Sequence, residues 1–133
     1  MASVFTKIIN GEIPCYKIAE DEDYLAFLDI NPLAKGHTLV IPKKEVDYYF
    51  DLAGDDLCGL TLFSKKVAAA LKKIFPCEKI GLTVIGLEVP HVHIHLIPIN
   101  SVTDMTFGRG HLTIEKEEMI TIAKSIREHI QLD

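Results

Sequence analysis

Residues 91–97 read His-Val-His-Ile-His-Leu-Ile, and this alternation constrains the fold more than any other stretch of the chain. Side chains along a β-strand point alternately to opposite faces. An extended segment therefore puts three imidazoles on one face and Val92, Ile94 and Leu96 on the other. The apolar face can pack under a helix while the histidines look into a cleft. Two residues of strand rise set neighbouring histidines about 6.5–7 Å apart along the strand. That is too far for direct pairing, yet close enough for one bound group to touch two rings. A single strand histidine is ordinarily a half-exposed side chain, but three in register are a poor way to fill a β core. The pattern by itself fits two chemistries equally: metal ligation and phosphoryl chemistry.

The rest of the chain supplies partners for such a strand. Residues 4–10 predict a short helix with Phe5 and Ile8 three apart, closed by Gly11 and Pro14. Strands are expected at 16–20, 23–30, 37–42, 79–86 and 92–99, with Asp21-Glu22, Asn31-Pro32 and Lys35-Gly36 as turn signals. Between the third and fourth strands, Leu57, Leu60, Phe63, Val67, Leu71 and Ile74 recur at spacings of three and four. They predict a long helix over 55–75, opened by Asp55 and Asp56 and stopped by Pro76. Residues 100–110 read as a loop and 115–131 as a second amphipathic helix, with Glu115, Glu117 and Glu118 at its positive end. The fold class expected is α+β: about five antiparallel strands with the helices on one face.

A chain of 133 residues with 48% hydrophobic and 25% charged side chains has the makings of one globular domain spanning 1–133. The net charge of −5 argues against a nucleic-acid partner, and the basic pairs at 43–44, 65–66 and 72–73 are scattered. A local basic pocket for one small anion remains allowed. No apolar run approaches the roughly 20 residues needed to span a bilayer, so no membrane partner is expected. Cys15, Cys58 and Cys77 form no CxxC pair, and an odd count leaves no complete disulfide set. With a first segment, MASVFTKIIN, unlike a signal peptide, this leads to the expectation of a cytoplasmic protein.

Four blocks, VFTKIINGEIP, AFLDINP, GHTLVIPKK and HVHIHLIP, occur in this order over residues 4–98. Together they resemble the nucleotide-binding branch of the histidine-triad (HIT) family, whose signature alternates three histidines with apolar residues. The resemblance implies a HIT-like fold and His93 as nucleophile on the α-phosphorus of a nucleotide. It implies that His91 and His95 contact phosphate oxygens and hold the proton network, and that His37 closes the cluster. Asp29 matches the residue that binds the ribose hydroxyls, although an Asp before Asn31-Pro32 also suits a turn. Phe5, Ile8, Phe27 and Ile30 match the wall of the base pocket, although each could equally be core. Crowded histidines resist being charged together, which keeps a neutral nucleophile available near pH 7.

The implied activity is hydrolysis or transfer of a nucleoside monophosphate, purine favoured, from a phosphoramidate or dinucleoside polyphosphate through a nucleotidyl-histidine intermediate. The alternative is a nucleotide-binding regulatory module with weak catalysis. No metal and no cofactor is expected, the partner is a small-molecule nucleotide, and relatives suggest a homodimer joined sheet edge to sheet edge.

The chain departs from the family just before the triad. Where many members read Gly-Gln-(Ser/Thr)-Val-x-His, it reads Gly86-Leu87-Glu88-Val89-Pro90-His91. An amide and a hydroxyl donor are thus replaced by Leu87 and Glu88, and the family's frequent Arg after the proline is Ile99. Gly86 and Glu88 stay among the nucleotide-binding candidates. Glu88 either repels phosphate, orients a ring, or simply faces solvent. Arg109 and His111 in or beside the following loop could reach a phosphate, although lone polar loop residues are more often solvated.

Overall fold

The computed structural model describes residues 2–132, so both ends of the expected 1–133 domain lie outside the described residues. Helix α1 (Val4–Ile9) leads into strands β1 (Lys17–Glu20), β2 (Tyr24–Leu28) and β3 (Thr38–Pro42). Helix α2 (Gly54–Ile74) follows, then β4 (Lys79–Thr83), β5 (Ile94–Ile99) and α3 (Lys116–His129). The five strands form one antiparallel sheet in the order β1-β2-β3-β5-β4. The expected α+β class and strand number are both borne out. No helix among the described residues is long and apolar enough to cross a membrane.

Period-two alternation explains why both faces of the central strands are covered. One face carries Ala26, Leu28, Val40, Ile94 and Leu96 against Leu60, Phe63, Val67 and Leu71 of α2 and Met119, Ile122 and Ile126 of α3. The other carries Leu25, Phe27, Leu39 and Ile41 against Phe5 of α1. All five residues of β2 and of β3 are buried as a result. Carboxylates in the first turns of α2 and α3 and basic residues in their last turns oppose the helix dipoles favourably.

Register then decides where the histidines go. Leu39 pairs with His95 and Val40 with Ile94, so Ile94 faces the helices and His95 shares the α1 side with Leu39 and Phe27. All five strands are shorter than the sequence suggested, β1 and β3 by one residue and the other three by more. β2 ends at Leu28 and the backbone turns just beyond, where Asp29 Oδ1 accepts the Asn31 N–H, although the Asp29 N–H still reaches across to the His37 carbonyl. β4 stops at Thr83, three residues before Gly86. β5 begins at Ile94, not at Val92, because the Val92 N–H is taken by the Val46 carbonyl in the loop after β3. The alternation survives outside the ladder, since Val92 still enters the helix-side core. Single 3-10 turns at Tyr49–Asp51 and Val102–Met105 had no clear sequence signal.

Candidate active site

Helix α1 is the first piece of the site. Ser3 caps it by accepting the Thr6 N–H, and one turn of helix aims Phe5 at the histidines. The Phe5 ring makes edge contacts with His93 at 5.0 Å, Phe27 at 5.6 Å and His91 at 5.8 Å between centroids. Gly36, at φ 91°, makes the turn that delivers His37; a Cβ there would run into the Phe75 ring.

Hydrogen bonds assign the proton positions ring by ring. The His37 Nδ1 accepts from the Leu33 N–H at 3.0 Å, so in the neutral ring the proton sits on Nε2. That Nε2–H faces His95 Nδ1 at 2.9 Å and donates to it, which places the His95 proton on its own Nε2. His93 donates its Nδ1–H to the His91 carbonyl at 2.7 Å, leaving the lone pair on Nε2. His91 donates from Nε2 to the Pro42 carbonyl at 2.8 Å and accepts at Nδ1 from the Ser3 hydroxyl at 2.8 Å. Four imidazoles are thus fixed in single tautomers, and those of His93 and His95 are complementary: one outward acceptor, one outward donor.

Electrostatics agrees with these neutral forms. Burial, reinforced by His95 and His93, pushes the His37 imidazole down to about 3. Burial and then His93 push His95 down to about 4. Burial also lowers His91, against the opposing pull of the Pro42 carbonyl and Glu45. Asp29 is raised by burial, partly offset by the Asn31 N–H. Its Oδ2 lies 3.4 Å from His37 Nε2; with His37 neutral this is a polar contact and not an ion pair. Asp29, His37 and His95 bring one ligand-capable atom each within 4.8 Å of one another. Between the two nitrogens of that group, however, sits the shared proton of the His37–His95 hydrogen bond.

Two cavities meet at His93 and His95. The first, of about 270 Å³, has Phe5, Ile8, Phe27 and Ile30 on its apolar wall and Asp29 at its rim. The second, of about 440 Å³, is bounded by Ile85, Gly86, Leu87, Phe107 and His111. Asn31 and Glu88 border both, as do the two histidines.

The structure thus brings the expected residues together, with three departures. His91 lines neither cavity and both its ring nitrogens are occupied, so it stands behind the site and supports His93 through its carbonyl. Gly86 belongs to the second cavity only. Arg109 lines a neighbouring cavity with Asn100 and Asp104, away from the histidines. The expected spacing also shortens: the His93 and His95 rings lean to 4.9 Å between centroids, and His95 pairs with His37, just before β3, rather than along its own strand. Sequence reasoning missed Ser3, Thr6 and Glu45, which tie α1 to His91, and Phe107, whose ring edges His95 at 4.8 Å. Ser3 was findable as a helix cap before Val4. The Leu33 N–H and the Pro42 carbonyl carry no side-chain signal at all.

An antiparallel sheet backed by two helices, with tautomer-locked histidines between two cavities, defines a histidine-centred small-molecule pocket. The HIT domain family matches residues 10–102, and the chain belongs to that family. An uncharacterised HIT-like protein of Methanocaldococcus jannaschii is 48% identical over 99 residues, covering 71% of this chain and 77% of its own. The adenosine 5'-monophosphoramidase of Schizosaccharomyces pombe is 34% identical over 133 residues, covering 98% and 100%. Among solved structures, a HIT-like protein of Bartonella henselae superposes with a TM-score of 0.84 at 33% identity, covering 96% of each chain.

Proposed function

We propose that the chain hydrolyses or transfers a nucleoside monophosphate, purine favoured, from a phosphoramidate or related conjugate through a covalent intermediate on His93. The observation that carries this reading is the pair of free ring edges on one cavity wall: the His93 Nε2 lone pair and the His95 Nε2–H. The first is the nucleophile and the second a donor to a phosphate oxygen. The similarity to the S. pombe phosphoramidase supports the substrate class.

In the first step the His93 Nε2–P bond forms and the bond from phosphorus to the leaving group breaks, the leaving group taking up a proton from solvent through the second cavity. His93 then carries Nδ1–H and a phosphoryl group on Nε2, a cationic ring whose Nδ1–H is held by the His91 carbonyl. In the second step water attacks phosphorus and gives up a proton to solvent, the P–N bond breaks, and the electron pair returns to Nε2, restoring the neutral ring. His95 is kept in the donor tautomer throughout by the Leu33-to-His37 relay. Asp29 receives the ribose hydroxyls, and Phe5, Ile8, Phe27 and Ile30 take the base. The reading calls on no metal or cofactor. The three unpaired cysteines suit a cytoplasmic setting, and the edge of β4 suits a homodimer.

His93→Ala is expected to lose turnover about a thousandfold or more while still binding nucleotide. Single-turnover reactions with an α-phosphate-labelled adenosine phosphoramidate, quenched and digested, should place acid-labile label on His93, with or without chelator. Normal turnover by His93→Ala removes that residue from the mechanism.

A further inference from the structure

The second cavity is the place for whatever leaves phosphorus. With a nucleoside in the first cavity and its α-phosphate at His93 and His95, the substituent on the far side of phosphorus has the second cavity to enter, because the two share those histidines. Its wall is largely apolar: Leu33, Ile85, Leu87 and Phe107. Leu87 is 88% exposed and Ile85 44%, an apolar surface left open beside a reactive centre. The charge on the wall is one-sided. Glu88 is its carboxylate, no lysine or arginine is among its lining residues, and Arg109 in the same loop turns to a different cavity. His111 spends its Nδ1–H on the Leu112 carbonyl. A bound anion, such as a departing pyrophosphate, would meet a carboxylate with no fixed cation to offset it.

We infer that this second cavity is a leaving-group subsite for amines with an apolar stem and a distal cationic end, and that Glu88 is the residue that sets this preference. The inference rests on the nucleotidyl-transfer reading above and adds the class of leaving group to it. The stem lies along Leu87, Ile85 and Phe107 while the cation faces Glu88. Opposite charge attracts and like charge is turned away at the same point, so one carboxylate both selects and excludes.

The test holds the reacting bond constant and changes only the far end. Three adenosine 5'-phosphoramidates of comparable stem length are compared: those of 1,5-diaminopentane, pentylamine and 6-aminohexanoate, whose distal ends are an ammonium, a methyl and a carboxylate. For the wild type, kcat/KM should follow that order, with about tenfold or more between the ammonium and the carboxylate ends. In Glu88→Gln the ratio should fall to within about twofold, and Glu88→Lys should invert it. Position 88 is exposed on a loop, so these variants are expected to fold. Wild-type turnover of all three conjugates at equal efficiency, or an unchanged ratio in Glu88→Gln, overturns the subsite and leaves the nucleotidyl-transfer reading standing. Failure to turn over any of the three, the neutral-ended one included, defeats that underlying reading instead.

Discussion

Two imidazoles that stay neutral at physiological pH make the stability of this protein pH-dependent in a definite direction. An unfolded chain takes up these protons near pH 6.5, whereas native His95 does so only at about 4 and native His37 at about 3. Between those values the unfolded state binds more protons, so acid favours it. The contribution is complete above the unfolded value and is lost as pH falls, at about 1.4 kcal/mol per pH unit for each histidine. Asp29, raised by burial, acts in the opposite sense and partly offsets the loss. Carboxylates held low by their partners, such as Glu20, act only at more acid pH. Urea unfolding at pH 7, 6 and 5 should show this fall. His37→Gln, whose amide can still donate to His95, should flatten the slope by one histidine's share. An unfolding midpoint that does not move between pH 7 and 5 contradicts the assignment of neutral buried rings.

Helix α2 offers a test of packing against propensity. Gly59 sits within it, and a Cβ there would collide with the hydroxyl and ring of Tyr24, which is itself buried on β2. Propensity alone makes Ala better than Gly in a helix by about 1 kcal/mol. Overpacking a buried contact typically costs about 1–3 kcal/mol, so Gly59→Ala should destabilise on balance. Adding Tyr24→Phe, which removes the hydroxyl, should recover part of the loss in thermal or urea unfolding. A stabilised single variant would show that Tyr24 moves freely. This contact also marks what sequence could and could not tell at the level of elements. Period-two and period-3.6 patterns made β2, β3 and α2 legible, because each element buries a continuous stripe. A glycine fitted to a tyrosine some 35 positions earlier leaves no periodic trace. The same holds for the site. His93 and His95 announced themselves by alternation, and Phe5 and Phe27 by family resemblance. The tautomers depend on the Leu33 N–H and on the His91 and Pro42 carbonyls, backbone groups that every residue type offers and only the fold positions.

The sheet has two edges, and they are built differently. At β1 the ladder to β2 shifts register between Lys17 and Ala19, Lys17 and Lys43 both pair with Glu20, and the Arg127 guanidinium donates to the Lys17 carbonyl. A bulge, exposed charges and a cap on the backbone all discourage another strand from adding there. At β4 the register to β5 runs unbroken from Lys79 to Thr83, and the outer edge is unpaired among the described residues. Leu82 lies opposite Leu96 on the helix-covered face and is 51% exposed, while Leu62 of α2 is 59% exposed. An open backbone edge whose strand carries an exposed leucine can add a second β4 about a two-fold axis, with the exposed apolar side chain of α2 available to the same contact. Wild-type chains should therefore sediment as dimers, and Leu82→Lys with Leu62→Glu should shift them to monomers at the same concentration. The histidines and both cavities come from one chain, so under the proposed function the monomeric variant should bind a fluorescent adenosine nucleotide as the wild type does, measured by titration. A monomeric wild type, or a double variant that still sediments as a dimer, rules out the β4 edge as the joint.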